Sequence, residues 1–477
     1  MFGVTKGMVG IAASSSEGLS TGQTRSTARA TTLGILAALA GLMFGLDTGV
    51  VAGALPFIAA DFHAGDVLQG WIVSSMMAGA AVGSLFAGRI SVRFGRTGAM
   101  LGAAILFLIG TLLCALAPGA AIMIVGRIFL GLAVGVAAFA APLYISEITV
   151  ESVRGAMISF YQLMVSLGIF LAFVSDSLLA SGGHWRWMLG IMAVPASFFL
   201  VIVLILPHSP RWLMMRGETE HARRVLQSLR SDEEVAEAEL IDIQSRLQKS
   251  SDAGIGLFKS NPNFRRTVFL GMLLQIMQQL SGINALLYYA PRVFQAAHFG
   301  TNAAIWATTL VGLTNMALTG VAIACVDRWG RRPLLILSCA IAAFSLAGVG
   351  TLLAVGANSF ESQLLLCGFV LLFVAGFAIG EGPLVWTLCS EVQPTRGRDF
   401  GIGCSTVTNW VANWAISNVF PLGMAMMGAS VTFLIFALFN GLFIVVTLLF
   451  VPETKGVSLE KLEANLFAGM RLRDLGR

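Results

Sequence analysis

Side chains able to bind a hydroxylated ligand are concentrated between Gln275 and Pro291, where the sequence reads QIMQQLSGINALLYYAP. Amides both donate and accept hydrogen bonds, and tyrosine hydroxyls do the same, so this stretch matches the chemistry of a polyhydroxylated molecule. A single amide in a membrane bundle can serve only as a contact between helices. The density of amides and phenols in this window favours a ligand site.

The spacing of these side chains predicts a break in the helix that carries them. At 100° per residue, one set shares a face roughly 100° wide: Gln275, Gln278, Gln279, Gly282 and Tyr289. Asn284 and Tyr288 point to another face. Ser281-Gly282 separates the two sets, and unwinding there lets both line one polar cavity, as in discontinuous transporter helices.

Two residues place opposite charges inside apolar stretches: Asp47 in LMFGLDTGV and Arg127 in MIVGRIFLG. An unpaired charge in a membrane span costs at least a few kcal/mol, so the two are predicted to pair with each other. Intramembrane ionisable residues commonly couple ion movement, and a carboxylate that loses its partner in an apolar pocket takes up a proton. A purely structural ion pair is the alternative.

The elements that position these residues are membrane-spanning helices. The chain has 477 residues, of which 56% are hydrophobic and 12% charged, so a soluble domain is excluded. Twelve apolar stretches of about 20 residues are long enough to cross a bilayer. They cover roughly residues 33–53, 69–90, 98–117, 120–142, 157–180, 187–206, 267–290, 304–325, 333–354, 363–389, 400–422 and 429–450.

The distribution of Lys and Arg predicts how the chain is oriented. An even number of spans puts both termini on one side. That side, with the loops after even-numbered spans, holds nearly all the basic residues, while the opposite loops contain only Arg186 and Arg292. The positive-inside rule therefore predicts cytoplasmic termini in a bacterial inner (plasma) membrane. The net charge of +5 reflects this asymmetry, and no basic stripe suits a nucleic acid.

The two halves of the chain repeat their signals, which indicates an internal duplication. Arg93-Phe94-Gly95-Arg96 after the second span matches Arg328-Trp329-Gly330-Arg331 after the eighth. Glu147 precedes Arg154 by seven residues after the fourth span, as Glu391 precedes Arg398 after the tenth. The predicted fold is thus an all-α membrane protein, with twelve transmembrane helices in two six-helix bundles related by pseudo-symmetry.

The predicted domain borders follow from this duplication. We expect a disordered cytosolic tail over 1–31, an N-terminal bundle over 32–207, cytoplasmic linker helices over 208–266, a C-terminal bundle over 267–451 and a cytoplasmic tail over 452–477. Within the linker, windows 219–230 and 232–248 show helical spacing of Val, Leu and Ile against charged faces, which predicts short amphipathic helices.

Seven motifs together resemble the sugar porter family of the major facilitator superfamily: GRISVRFGRT, SEITVESVRG, PHSPRW, QQLSGINALLYYAP, VDRWGRRP, GPLVWTLCSE and VPETKGVSLE. The resemblance covers nearly everything from residue 33 to 465. The runs RDFGIGCSTVTNWVAN and MISFYQLM are most similar to bacterial galactose and proton symporters. The family implies two bundles that rock about a central site.

The resemblance implies sugar contacts from seven side chains: Gln162, Gln278, Gln279, Asn284, Asn315, Trp386 and Asn409. Each type suits a hexose, because amides bind hydroxyls and an indole offers an apolar face to the sugar ring. Phe44 either forms a further wall of the sugar site or only packs between helices. Tyr288 and Tyr289 resemble the pair that closes the site to the outside, although phenols also anchor helices at membrane interfaces.

Charged residues at the cytoplasmic helix ends resemble the family's salt-bridge latch between the bundles in the outward-facing state: Arg93, Arg96, Glu147, Arg154, Arg328, Arg331, Glu391 and Arg398. Solvated charges are the alternative, since exposed pairs are individually weak. The spacing recurs in both halves, which favours the latch.

His208 and Glu381 are among the positions that depart from the family pattern. His208 stands in PHSPRW where many relatives carry an acid. Glu381, in IGEGPLVW, lies five residues before Trp386. Three interpretations of Glu381 stay open: a second titrating site, an acceptor for the sugar, or a carboxylate in a wet cavity without a special role.

These features favour proton-coupled import of a hexose such as galactose or glucose, with the proton as coupling ion and no cofactor. The expected partners are a monosaccharide, protons and membrane lipid, and one copy is expected to suffice. A proton-independent facilitator and a transporter-like sugar sensor are the alternatives. Proton-coupled relatives keep a carboxylate at the position of Asp47, which disfavours the facilitator. The tail after Val451 is too short for a signalling domain, which disfavours the sensor. No nucleophile and base pair or metal cluster points to an enzyme.

Overall fold

The structure is a computed structural model that describes the backbone of residues 21–230, 232–249 and 253–476. Side chains are described from residue 28 onward, except at residues 151–152, 181, 231, 246–253, 324–328 and 477. Within these limits every regular element is a helix.

Ten of the described helices are long and apolar enough to cross a membrane. They cover Ala28–Asp61, Asp66–Ala115, Ala120–Ile148, Val153–Leu179, Trp185–Ile205, Pro262–Ala296, Thr301–Ile323, Arg331–Val355, Phe360–Glu391 and Arg398–Phe450. The two longest contain 50 and 53 residues. A straight helix of that length would measure about 75 Å, far more than the ~30 Å core of a bilayer.

Each of these two long helices is in fact a pair of spans joined by a sharp turn at a glycine. Gly95 and Gly428 both have a φ of 82°, a conformation that side chains with a Cβ rarely adopt. The prediction of twelve spans is therefore confirmed. They are numbered spans 1 to 12 in chain order, with spans 2 and 3 meeting at Gly95 and spans 11 and 12 at Gly428.

Three of the spans are interrupted. Span 7 consists of the helices Pro262–Leu280 and Ile283–Ala296, and Gly282 between them has a φ of 91°. The predicted break at Ser281-Gly282 is thus confirmed. Span 10 is divided into Phe360–Ile379 and Glu381–Glu391, and span 6 into Trp185–Gly190 and Ala193–Ile205.

Spans 1–6 and spans 7–12 pack mainly within their own halves. In the first half, span 1 lies against span 5, and spans 2 and 3 lie against span 4. A Cβ on Gly131 of span 4 would overlap the Met76 carbonyl of span 2, so glycine is required for this close approach. The two halves meet where span 5 contacts span 8 and where span 2 contacts span 11. A site between the halves therefore receives side chains from both.

Short helices occupy the segment between spans 6 and 7: Pro210–Met215, Thr219–Leu229, Glu233–Lys249 and Ala253–Ser260. A further helix, Leu459–Phe467, follows span 12. Thr219–Leu229 buries Ala222, Val225, Leu226 and Leu229 on one face, which confirms the amphipathic prediction. The Arg230 guanidinium pairs with Glu239 at 2.7 Å and donates to the Ile148 carbonyl at 3.1 Å, so these helices are attached to the end of span 4.

The helix that contains span 1 begins at Thr21, which corrects part of the predicted tail. Residues 21–31 were expected to be disordered, but they continue the helix of span 1. Thr, Ser and Gly give this segment low helix propensity, but it continues directly into span 1 and Ala30 is fully buried, so packing supports the helix at this end. Residues 1–20 of the predicted tail lie outside the described residues.

Candidate functional site

The two charges predicted to pair inside the membrane do so. Arg127 of span 4 lies with Nη1 2.6 Å from Oδ1 of Asp47 on span 1, and both side chains are completely buried. The Arg127 Nε also donates to the Ile72 carbonyl of span 2 at 3.3 Å. Asp47 Oδ2 and Arg127 Nη2 have no hydrogen-bond partner in the described part of the chain. The pair is thus a single contact with one unused oxygen and one unused N–H group.

A network of amides joins spans 7, 10 and 11 in the second half. Asn409 donates through Nδ2 to Gln275 Oε1 at 2.6 Å and to Gln278 Oε1 at 3.1 Å. Gln278 in turn donates to the backbone carbonyls of Glu381 at 2.8 Å and Gly382 at 3.3 Å. Gln275, Gln278 and Asn409 therefore fix one another, and the break in span 10 is part of the same network.

Gln279 and Asn284 lie on opposite sides of the break in span 7 and form a second amide pair. Asn284 Nδ2 donates to Gln279 Oε1 at 2.7 Å. The remaining Gln279 amide N–H₂ group and the Asn284 carbonyl oxygen make no hydrogen bond to another described residue. The pair therefore offers one donor and one acceptor side by side, which suits two hydroxyls of a sugar.

The other predicted sugar contacts differ in exposure. Asn315 on span 8 is buried, Gln162 on span 5 is exposed, and Trp386 on span 10 is 40% exposed. Phe44 on span 1 packs edge-on against Trp410 on span 11, with ring centroids 5.5 Å apart. Phe44 thus joins the two halves through an aromatic contact.

Tyr288 and Tyr289 are both buried where span 7 meets the first half. The Tyr288 hydroxyl lies beside Thr48 of span 1 and accepts from Asn413 Nδ2 of span 11 at 3.3 Å. Thr48 is the residue that follows Asp47 in span 1. The Tyr289 hydroxyl donates to the Ser417 carbonyl at 2.9 Å. These contacts join span 7 to span 11 and place Tyr288 against the part of span 1 that carries Asp47.

The two halves are held together near the tyrosine pair. Arg292, close after Tyr289, lies with Nη2 2.7 Å from Asp66 Oδ1 and donates through Nη1 to Gln69 at 3.3 Å. Asn418 of span 11 donates to Ser74 of span 2 at 3.1 Å. In this conformation the molecule is closed at the tyrosine end.

At the opposite end, the repeated motifs form two similar three-residue clusters. Arg96 makes a bidentate pair with Glu147 at 2.8 and 2.9 Å, and Ser209 donates to the same carboxylate. In the second half, Arg331 lies 3.2 Å from Glu391, and Thr454 donates to that carboxylate. This end, defined by Arg96, Glu147, Arg331 and Glu391, is called the basic end below. The ion pairs described here each join residues of one half.

The remaining residues of the predicted latch lie at the same end. Arg93 stacks over Phe94 at 5.4 Å, and Arg398 donates to the Gln393 carbonyl at 3.4 Å. Arg154 and Arg398 each leave a buried Nε without a described partner. The side chain of Arg328 lies outside the described residues. A latch between the halves in the outward-facing state stays a prediction, since this conformation pairs the acids within their own halves.

Three residues in and around the site were not anticipated: Asn413, Ser417 and Asp176. Asn413 follows Asn409 by four residues and Ser417 follows by eight, so one face of span 11 carries all three, and this spacing could have been read from the sequence. Asp176 on span 5 is buried and accepts from the Gly53 N–H at 3.2 Å. It is an intramembrane carboxylate like Asp47, and the same criterion would have identified it.

Comparison with known proteins agrees with this architecture. The profile described as "Sugar (and other) transporter" matches residues 33–466. The chain belongs to the sugar porter family of the major facilitator superfamily. It is 49% identical over 442 residues to the galactose-proton symporter of Escherichia coli (strain K12), covering 92% of this chain and 95% of the relative. It is 47% identical over 451 residues to the arabinose-proton symporter of the same strain, covering 93% and 94%.

Solved structures of the same family have the same fold. The partially occluded inward open conformation of the xylose transporter XylE from E. coli matches with a TM-score of 0.80 and 29% identity, over 90% of this chain and 99% of that one. The inward open conformation of XylE matches with a TM-score of 0.78 and 30% identity, over 91% and 99%. Membership of this family confirms the predicted fold class and the resemblance on which the site residues were assigned.

Proposed function

We propose that this protein is a proton-coupled symporter that imports a hexose by alternating access. The observation that carries the proposal is the fully buried contact between Asp47 and Arg127 in a bundle whose span 7 is broken at a pair of amides with a free donor and a free acceptor. Relatives named as galactose-proton and arabinose-proton symporters support the pairing of a sugar with a proton. Galactose and glucose are the first substrates to test.

The amide groups supply the sugar chemistry. Gln279 and Asn284 present a free donor and a free acceptor, and Gln278 and Asn409 lie in the adjoining network. Asn315 and Gln162 add amides from spans 8 and 5, so the sugar would be held from both halves. The exposed indole of Trp386 offers an apolar face for the C–H side of the ring. A sugar bound in this way would draw the halves together.

The ion pair supplies the coupling chemistry. A carboxylate buried among apolar helices is stable as an ion only while a cation stays beside it. If the bundles rock so that Asp47 leaves Arg127, Asp47 takes up a proton from the side to which the site is open. Return of Arg127 releases that proton on the other side. Closure over the sugar and movement of the proton then become one step.

The orientation follows from the charge distribution. The basic end and both termini face the cytoplasm of the inner membrane, and the tyrosine end faces outward. The structure, closed at Tyr288 and Tyr289, then corresponds to an inward-facing state, in which Glu147 and Glu391 are released from any pairing between the halves. The proton is the coupling ion, with no other cofactor, and one copy of the chain suffices.

The experiment is uptake of labelled sugars into proteoliposomes with an imposed pH gradient, using a panel of hexoses and pentoses. We expect accumulation against a sugar gradient that a protonophore abolishes. Equilibration without accumulation would instead identify a proton-independent facilitator. Binding without any uptake would identify a sugar sensor, and binding of neither class of sugar would remove the substrate assignment.

A further inference from the structure

Glu381, at the break in span 10, is the most unusual ionisable residue in the membrane-spanning part of the chain. Its side chain is completely buried, and neither carboxylate oxygen makes a hydrogen bond of normal geometry in the described structure, although the Ser281 hydroxyl and the Cys339 thiol lie beside it. Asp47 has Arg127 beside it, and Asp176 accepts from the Gly53 N–H. Among these three buried carboxyls, only Glu381 has neither a cation nor a backbone donor.

The polar neighbours of Glu381 come from several spans, and all are uncharged. Ser281 of span 7 and the Cys339 thiol of span 9 lie beside the carboxyl. Ser338 of span 9 accepts from the Glu381 backbone N–H at 2.9 Å. Asn440 of span 12 donates to the Ser281 carbonyl at 3.1 Å and leaves its own Oδ1 unpaired. Cys339 is the only titratable group described beside the carboxyl.

Burial without a partner determines the charge of this carboxyl. An ionised carboxylate held away from water without donors costs several kcal/mol, and such a group binds a proton instead. The protonated form also supplies an O–H donor, for which the Ser281 Oγ beside the carboxyl is an acceptor. Glu381 is therefore neutral in this closed arrangement.

The pocket is connected to the sugar site through Gln278. The Gln278 amide donates to the Glu381 carbonyl at 2.8 Å, while Ser281 Oγ donates to the Gln278 carbonyl at 2.6 Å. An ionised Glu381 would require donors, and the Gln278 amide already donates to the Glu381 backbone carbonyl. Recruiting that amide to the carboxylate would turn Gln278 away from Asn409 and so disturb the site.

We propose that Glu381 is a second proton-binding carboxyl, located in the C-terminal bundle, whose protonation holds Gln278 in the geometry that binds sugar. The proton site stands on its own, whereas its effect on sugar rests on the proposed function. Water entering the break at Ser281-Gly282 would provide the path for the proton.

The first test uses infrared spectra of the purified protein, titrated with alkali in the absence of sugar. We expect a protonated-carboxyl C=O band that is present in Asp47→Asn and Asp176→Asn but absent in Glu381→Gln. Glu381→Met serves as a second neutral variant. Cys339→Ser keeps the carboxyl and gives it a stronger partner, so it should shift the same band. If the band survives in the Glu381 variants, or if Cys339→Ser leaves it unmoved, the proton site is excluded.

The second test measures sugar affinity by calorimetry across the same pH range, in the Asp47→Asn background so that the first carboxyl does not contribute. We expect affinity to fall about tenfold as the infrared band disappears, the equivalent of one hydrogen bond. With Glu381→Gln added, affinity should be independent of pH. An equal pH dependence in both proteins would overturn the link to Gln278. If no sugar binds at any pH, the proposed function fails while the infrared result still decides the proton site.

Discussion

Arg292 on span 7 lies 2.7 Å from Asp66 at the start of span 2, and this ion pair joins the two halves at the tyrosine end. Both side chains are partly exposed, so the pair is expected to contribute no more than ~1 kcal/mol to closure. Asp66→Asn should therefore open this end only several-fold more often. The readout is the rate at which a membrane-impermeant thiol reagent modifies a cysteine introduced at Asn418, which lies in the same interface.

Asp61→Asn is the matched control for that experiment. Asp61 pairs with Arg186 at 3.1 Å, but both residues belong to the first half. Removing this charge should leave the rate of modification unchanged. Equal rates in Asp66→Asn and the parent protein would show that the Arg292 pair does not hold the tyrosine end closed.

Gln279→Ala and Asn284→Ala test the amide pair at the break in span 7. Each removes one group available to a sugar and also frees its partner, so we expect sugar affinity to fall roughly two- to tenfold, for about 0.5–1.5 kcal/mol. Binding of galactose and glucose by calorimetry provides the measurement. Asn358→Ala, in an exposed turn between spans 9 and 10, is the control. Unchanged affinity in both amide variants would place the sugar elsewhere.

The two tryptophans near the site should respond differently to truncation. Trp386 is 40% exposed, so Trp386→Ala should lower hexose affinity through loss of an apolar ring face and cost little stability. Trp410 is buried against Phe44, so Trp410→Ala should destabilise the protein by about 3–5 kcal/mol. Affinity and thermal stability are measured on the same samples. A larger affinity loss for Trp410→Ala than for Trp386→Ala would show that Trp410, and not Trp386, contacts the sugar.

His208 predicts a pH dependence of stability at the basic end of the molecule. It follows span 6, and its Nδ1 lies 2.7 Å from Thr97 Oγ1. Burial lowers the pKa of His208 below its ordinary 6.5, and His221 adds to this shift while Glu218 opposes it. Because the unfolded chain binds this proton more readily, stability should be greatest above the unfolded pKa and decrease as the pH falls below 6.5.

The measurement is the thermal unfolding midpoint in detergent at several pH values. His208→Asn should reduce the loss of stability in acid. His184→Asn, at an exposed site between spans 5 and 6, provides the control. If the unfolding midpoint falls equally in acid for the parent protein and His208→Asn, His208 is not the cause of the pH dependence.

How far the sequence predicts this molecule depends on how strongly each residue restricts the choice of its partner. The break in span 7 was predictable because amides on two helical faces can converge only where a Gly lets the helix unwind. The Asp47–Arg127 pair was predictable because a lone charge in lipid requires a partner. The contacts of Glu147 with Ser209 and of Glu391 with Thr454 were not, because a carboxylate at a helix end near water has many possible partners and none is required. Periodicity within one helix carries no information about which helix lies opposite. The start of the span 1 helix at Thr21 was not predictable, because the polar residues there have low helix propensity and no apolar periodicity.

Asp47→Asn tests the coupling mechanism most directly. An amide resembles the protonated carboxyl in shape and charge, so the variant is held in the neutral form that Asp47 is expected to adopt only when it leaves Arg127. It should still bind sugar and exchange internal for external sugar. It should not accumulate sugar, because no proton is bound on one side and released on the other. The pH gradient therefore cannot drive uptake.

Arg127→Ala should be more severely impaired than Asp47→Asn. It leaves Asp47 buried at 0% exposure without the cation 2.6 Å away, so the carboxyl retains its proton and cannot release it. The measurements are counterflow and protonophore-sensitive accumulation in proteoliposomes with an imposed pH gradient. Counterflow should persist in Asp47→Asn and be slowed in Arg127→Ala, while both lose accumulation. Full concentrative uptake by Asp47→Asn would leave the pair with a structural role and move proton coupling to another carboxyl, with Glu381 the next to be tested.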